Sequence, residues 1–149
     1  MIRRAKVNFT LTPDEDGYPP VSSESLWCIP TRKGTYIVDN IPFFVRDISL
    51  GDEVSARRVG RILQFSRLVR KSKNSTIRVL IKRLAVLETT RKTLDSLGCG
   101  TELMDELSLL AVTMPPDSSI SQVLSFLDEN VEQDNIGIEE SAVRYEIQQ

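Results

Sequence analysis

Residues 76–98 read TIRVLIKRLAVLETTRKTLDSLG, and the spacing of their apolar side chains changes partway along. Over 76–82 apolar residues alternate with polar ones, which predicts a strand with Arg78 and Lys82 on its polar face. From residue 83 onward leucines recur at helical spacing, and Gly98 is typical of the residue just past a helix end. This stretch therefore predicts a strand that leads directly into a helix.

The rest of the second half adds the elements of a layered α+β unit. Two strands separated by a single turn residue are expected at 101–107 and 109–114. Ser119 and Gln122 have the spacing of a capping box, which predicts a helix beginning there, and a final strand is expected within 136–145. The order strand, helix, strand, strand, helix, strand is that of a ferredoxin-like βαββαβ layer.

The first half is predicted to consist of strands. Short strand-like segments separated by turn residues are expected at 7–11, 25–30, 35–38, around Val54 and at 61–69. Pro42 makes the stretch 40–44 an edge strand or a bulge rather than a central strand. We therefore predict an α+β protein in which a β-rich half, 1–73, forms a small barrel-like sheet packed against the ferredoxin-like half, 74–149.

The chain has no histidine and only two cysteines among its 149 residues. Without histidine, neither a Ser-His-Asp triad nor a Cys-His pair can be assembled within the chain. Two cysteines do not complete a usual zinc site, so no catalytic residue, metal or cofactor is predicted. The longest purely apolar run is four residues, too short to span a membrane. We expect a cytoplasmic, non-catalytic protein in which Cys28 and Cys99 are free thiols.

Charge is strongly segregated along the chain, although the net charge is only −2. Residues 57–92 contain twelve Lys and Arg against the single acid Glu88. Residues 93–149 contain twelve Asp and Glu against Arg144 alone. A field of one sign concentrates partners of the opposite sign. The sequence therefore indicates a protein that binds through charge, unless the basic and acidic regions pair with each other inside the fold.

Several motifs follow one another in a characteristic order. They are DEDGYPPVSSE at 14–24 with Leu26 and Trp27 after it, DNIPFF at 39–44, Gly51-Asp52, NST at 74–76 and LGC at 97–99. In these motifs the chain resembles a bacterial domain-of-unknown-function family, number 4265. The resemblance spans nearly the whole chain and is most specific within the first 55 residues. It implies a small soluble bacterial protein, and it carries no established reaction, ligand or site residue.

Our first functional hypothesis is a protein-interaction role like that of an immunity protein, which neutralises a cognate basic toxin domain. An acidic surface would steer the association and cover the toxin's substrate groove. Acids near the end of the second predicted helix oppose the helix macrodipole, a cost that suggests a role. The residues expected to bind this partner are Glu102, Asp105, Glu106, Asp128, Glu129 and Glu132.

An alternative is a nucleic-acid-binding module that uses the basic stretch 57–83. Its phosphate-binding residues would be Arg57, Arg61, Arg67, Arg70, Lys71 and Lys73, and its affinity would fall steeply with salt. This stretch contributes only Phe65 as an aromatic residue, whereas stacking surfaces usually use two or three.

A third reading is a small-molecule site or an enzyme pocket at one end of the barrel, because barrel mouths are common ligand sites. Its candidate residues are Tyr18, Ser22, Ser23, Trp27 and Asn40. The sequence leaves the choice among these three functions, and the oligomeric state, open.

Overall fold

The computed structural model describes residues 3–146. Within them the chain forms nine strands and two α-helices. In chain order these are β1 (Ala5–Thr10), β2 (Ser23–Pro30), β3 (Tyr36–Val38), β4 (Glu53–Val59), β5 (Ile62–Arg70), β6 (Ser75–Ile81), α1 (Leu87–Ser96), β7 (Gly100–Met104), β8 (Leu109–Met114), α2 (Ile120–Glu132) and β9 (Ile136–Ala142). The chain divides into two compact units between Ser72 and Lys73. No helix in the described part of the chain has the length and apolar character needed to cross a bilayer.

The first unit is a closed barrel in which β1 to β5 lie side by side in chain order. Successive strands are antiparallel, and a parallel pairing of β1 with β5, with Val7 opposite Leu63, closes the barrel. Alternate residues point inward and form its core, which includes Val7, Phe9, Leu26, Cys28, Val38 and Val54. The predicted small β-barrel is confirmed.

The stretch 40–44 is not a strand, and the prediction of an edge strand or bulge there is wrong. The Glu24 carboxylate accepts hydrogen bonds from the backbone N–H groups of Phe43 (2.8 Å), Phe44 (2.9 Å) and Val45 (3.0 Å). Because a side chain satisfies these donors, the segment needs no neighbouring strand and remains a loop. The loop still contributes to the core, since Phe44 and Val45 are buried.

The second unit is a sheet with the strand order β7-β8-β6-β9, in which every neighbouring pair is antiparallel. Residues of α1 and α2, among them Leu94, Val123 and Leu127, pack with the sheet in one core. This arrangement confirms the ferredoxin-like βαββαβ order. Gly98 follows the last turn of α1 with φ of 96°, which favours glycine, so its predicted role as a helix stop is also confirmed.

The alternation predicts that Arg78 lies on an exposed polar face, and this prediction is wrong. Its side chain is buried, and its Nε lies 3.6 Å from Oε1 of Glu139 on β9. Both faces of β6 are covered, since Thr76 and Arg78 on one face are as inaccessible as Ile77 on the other. Lys82, beyond the end of β6, is exposed as predicted.

Two further local predictions in the second unit are wrong. The strand expected at 101–107 ends at Met104, and a 3₁₀ turn at Asp105–Leu107 follows it. Ser119 precedes α2 but its side chain makes no capping hydrogen bond. Its backbone N–H instead donates to the carbonyl oxygen of Leu97 at 2.9 Å, so a neighbouring turn rather than Gln122 satisfies that donor.

Candidate functional site

The outward side of the barrel has an ordered set of side chains that we call the outer barrel face. Strand register places Trp27 of β2 beside Lys6 of β1, and Val59 of β4 opposite Ile62 of β5. β1 and β5 are parallel, with Val7 opposite Leu63 and Asn8 opposite Gln64, and continuing this register by one residue places Lys6 next to Ile62. These four residues form one row across four strands. A second row consists of Ser25, Asn8, Gln64 and Arg57.

The first row is more apolar than an ordinary outer strand surface. Trp27 is 40% exposed, and Val59 and Ile62 are each 53% exposed. The Nζ atom of Lys6 lies 4.9 Å from the centre of the Trp27 ring, a cation–π contact. The backbone N–H of Trp27 donates to Oδ1 of Asn40 at 2.6 Å, and this hydrogen bond connects β2 to the loop that follows β3.

The second row is held by hydrogen bonds between its own polar side chains. Nδ2 of Asn8 donates to Oε1 of Gln64 at 2.9 Å, and Nε2 of Gln64 donates to Oγ1 of Thr10 at 3.2 Å. The hydroxyl of Ser25 donates to Oδ1 of Asn8 at 3.3 Å. These bonds fix the two amide groups in place and use their polar atoms within the face.

Three of the arginines predicted from the sequence belong to this region. Arg57 lies in the second row, and Arg67 lies opposite Ser55 on the same outward side. Arg61 lies at the tip of the β4–β5 hairpin, where Gly60 has the positive φ, 64°, that a tight hairpin turn requires. All three arginines are exposed.

The arginines have no acidic counterpart nearby. Among residues 3–146, no carboxylate lies within ion-pair distance of Arg57, Arg61 or Arg67. The acids on β1, β2, β4 and β5 are Glu24 and Glu53, and both are engaged elsewhere. Glu24 binds the loop N–H groups described above, and Glu53, which is buried, accepts a hydrogen bond from the Thr35 hydroxyl at 2.7 Å. The outer barrel face is therefore locally positive.

The remaining basic candidates do not extend this face. Arg70 lies 3.4 Å from Glu53 in an ion pair. Lys71 and Lys73 are exposed but follow the end of β5 and belong to no strand. Phe65, the aromatic residue expected from the basic stretch, points inward and stacks on Phe9 with ring centres 4.6 Å apart.

Trp27 is accessible on the outer barrel face, whereas Phe65 packs against the barrel core. Its position beside the basic hairpin follows from the pairing of β1 with both β2 and β5. No local pattern in the sequence encodes that pairing, so sequence reasoning assigned Trp27 to a different candidate site. The alternation of Leu26 and Cys28, both buried, is the one signal that Trp27 points outward.

The acidic candidates fall into two groups. Glu102 lies on β7, at one edge of the second sheet, and Asp105 and Glu106 lie in the 3₁₀ turn after it. The other group lies on α2, which packs beside β9 at the opposite edge, and consists of Asp128, Glu129 and Glu132. All six are exposed, and within the described residues none has an ion-pair partner.

Among the residues proposed for a barrel-end pocket, Trp27 and Asn40 are joined by the hydrogen bond described above. Tyr18 packs edge-on against Phe44, with ring centres 6.1 Å apart. Ser22 and Ser23 border a shallow surface groove together with residues of the preceding turn. Trp27 lies four residues further along β2 than Ser23, a separation of about 13 Å. A partly open cavity of about 450 Å³ also lies in the first unit. Its lining is Phe9, Thr10, Leu11, Thr12, Pro19, Phe44, Val45, Arg46, Asp47, Ile48, Phe65 and Leu68.

Both cysteines are buried free thiols. Burial raises the pKa of Cys28 from 9.0 to about 12, and the nearby charge of Asp39 acts in the same direction. Burial alone raises the pKa of Cys99 to about 11. Because the thiolate is the reactive form of cysteine, neither side chain is suited to act as a nucleophile at neutral pH.

Comparisons with known proteins identify a family of unknown function and a protein of similar fold. The model of the Domain of unknown function (DUF4265) family matches residues 24–138. A hypothetical protein from Neisseria gonorrhoeae, known from a crystal structure, is similar in fold, with a TM-score of 0.77 and 20% sequence identity. The match covers 98% of each chain. No curated protein matches the chain. From the matched residues, which include most of the barrel and nearly all of the second unit, the chain belongs to the DUF4265 family.

Proposed function

We propose that this protein binds nucleic acid through the outer barrel face. The observation that carries the proposal is the group formed by Arg57, Arg61 and Arg67, which is exposed and has no carboxylate within ion-pair distance among the described residues. Lys6 adds a fourth cation in the adjoining row. Such a surface attracts phosphates and releases their condensed counterions when it binds, which is the main source of sequence-independent affinity.

The proposal predicts a specific dependence on salt. Four phosphate contacts give a slope of log affinity against log salt of about −3 to −4. Binding of a fluorescently labelled oligonucleotide, followed by anisotropy between 50 and 200 mM salt, measures this slope. A slope near zero would contradict the proposal, because it would mean that the cations make no phosphate contacts.

A pair of matched variants separates this face from the overall charge of the protein. Arg57→Gln with Arg67→Gln removes two charges from the outer barrel face. Arg83→Gln with Lys92→Gln removes two charges from exposed positions in the second unit. At 0.1 M salt we expect the first pair to weaken binding by roughly 10- to 60-fold and the second pair to have little effect. Equal losses in both would show that bulk charge alone is responsible.

The acidic residues support a second candidate, the immunity-like binding of a basic protein. The supporting observation is that the last turn of α2 lacks a basic residue while Asp128, Glu129 and Glu132 occupy its C-terminal half. Acids there oppose the helix dipole and make the helix less stable. If a basic protein partner is captured, charge reversal at these three positions should slow its association. An unchanged association rate would eliminate α2 as the binding surface.

A further inference from the structure

We infer that the outer barrel face binds unpaired bases, so that its target is single-stranded DNA or RNA rather than a duplex. This inference rests on the proposed function and names the class of nucleic acid that it recognises. It follows from the first row of the face, in which Trp27, Ile62 and Val59 are exposed side by side with Lys6.

An exposed apolar row is not needed to bind phosphates. In a duplex the flat faces of the bases are stacked on one another and are hidden from a β-sheet surface. In a single strand each base has a free face that can stack on an aromatic ring or pack on an aliphatic side chain. The row therefore matches the part of a single strand that a duplex does not offer.

The cations are placed to bind the phosphate backbone of a single-stranded nucleic acid whose bases contact this row. Neighbouring β-strands lie about 4.8 Å apart, so Trp27 and Ile62 are separated by roughly 10 Å. Lys6 lies between them within the row, and Arg57 lies in the next row at the Val59 end. A cation therefore lies between the aromatic ring and the two aliphatic side chains, over a distance comparable to a few nucleotides.

The second row predicts that the base sequence of the bound nucleic acid has little effect on affinity. Asn8 and Gln64 are the side chains on this face best suited to reading base edges, but they are hydrogen-bonded to each other and to Thr10. Stacking does not distinguish bases strongly, because every base has a π face. We expect similar affinity for homopolymers of different bases.

Trp27 is the single tryptophan of the chain, so its fluorescence reports directly on this site. The protein is titrated at low salt with a 12-nucleotide oligothymidylate, the corresponding oligouridylate, a 12-base-pair duplex and inorganic polyphosphate. We expect both single strands to quench the fluorescence and to bind at least about 10-fold more tightly than the duplex. Because these two single strands differ both in the 2′-hydroxyl and in the base methyl group, similar affinities for them would show that neither group is discriminated.

Variants test the stacking contact itself, with affinity measured by the anisotropy of labelled oligothymidylate. Trp27→Ala should weaken binding by about 5- to 100-fold, whereas Trp27→Phe, which keeps an aromatic face, should retain most of the affinity. Leu84→Ala, at an exposed apolar residue of the second unit, is the control and should have no effect. Thermal unfolding of each variant shows whether the fold is intact. If Trp27→Ala is unstable, the comparison of single strands with the duplex and with polyphosphate on the unsubstituted protein carries the test.

The outcomes separate the inference from the proposed function. Equal or tighter binding of the duplex, or full affinity in Trp27→Ala, would overturn the inference and leave nucleic-acid binding standing. Quenching by polyphosphate equal to that by oligothymidylate would also overturn it, because charge alone would then account for the signal. Failure of all the nucleic acids to bind would refute the proposed function, and the inference with it.

Discussion

Glu24 fixes the path of a loop with one side chain. Its carboxylate accepts three backbone N–H groups, from Phe43, Phe44 and Val45, within the barrel unit. Glu24→Gln replaces one acceptor oxygen with an NH₂ group that faces those donors. Since hydrogen bonds to a charged group contribute about 1.5 to 3 kcal/mol, we expect a loss of about 2 to 3 kcal/mol in the free energy of unfolding. Urea denaturation of the variant and the unsubstituted protein measures this difference in the free energy of unfolding.

The control for this variant is Glu15→Gln, which makes the same chemical change at an exposed position in the turn after β1. It should change the free energy of unfolding by less than about 0.5 kcal/mol. Equal effects of the two substitutions would mean that the loop does not depend on Glu24.

The cysteines predict a chemical property that is easily measured. With pKa values raised by burial to about 12 for Cys28 and about 11 for Cys99, both stay protonated and inaccessible at pH 8. The native protein should therefore react very slowly with Ellman's reagent, and both thiols should react at once after unfolding. Rapid reaction of one equivalent in the native state would contradict the described burial.

The same pKa values determine how stability depends on alkaline pH. The folded state holds the thiol protons more tightly than the unfolded chain, in which the pKa is near 9. Their contribution to stability is complete below pH 9 and is lost as pH rises toward 12. Between pH 8 and 10.5 the melting temperature of Cys28→Ala should fall less than that of the native chain. A parallel fall would contradict this linkage.

At the scale of a single element, α2 shows how a correct helix prediction can include an incorrect cap. Ser119 makes no side-chain capping bond, so Ser119→Ala should cost less than about 0.5 kcal/mol, compared with ~1 kcal/mol for a working cap. Leu127→Ala, in the buried stripe of the same helix, should cost about 2 to 5 kcal/mol. Urea denaturation of both variants distinguishes them, and a loss near 1 kcal/mol in Ser119→Ala would restore the capping role.

Elements with a regular apolar period could be predicted from the sequence. The strands β1, β6 and β8 and both helices are confirmed, because each buries one or both faces and the pattern records that burial. The period does not reveal that both faces of β6 are covered, and it therefore predicts an exposed position for Arg78. It also does not reveal where a side chain, rather than a neighbouring strand, accepts the backbone hydrogen bonds of a segment, as Glu24 does for the loop at 40–44.

Prediction from the sequence is limited in the same way for the candidate site. The exposed arginines could be predicted from their number and spacing, whereas the position of Trp27 beside them depends on the pairing of residue 7 with residue 63. Pairings that are distant in sequence leave no local period. The sequence therefore predicts Phe65 on the nucleic-acid surface and Trp27 in a barrel-end pocket, whereas the structure places Phe65 against the barrel core and Trp27 on the outer barrel face.

At the scale of the whole molecule, the two units carry opposite charge. Residues 3–72 contain twelve Lys and Arg with eight Asp and Glu, and residues 73–146 contain seven and thirteen. We expect the protein to be retained on a cation exchanger at pH 7 and low salt in spite of its net charge of −2. Arg57→Gln with Arg67→Gln should abolish this retention, and Arg83→Gln with Lys92→Gln should preserve it. Passage of the native chain through the column without delay would contradict a localised positive face.

The parallel pairing that closes the barrel has a consequence for the newborn chain. As the protein leaves the ribosome, β1 can pair with β2 as soon as β2 has been made, but its other edge has no partner until the residues around Leu63 have been made. At 5–20 residues per second this takes roughly 3 to 11 seconds. During that interval an open strand edge is available to other nascent chains, and a chaperone that shields it would act on this segment first.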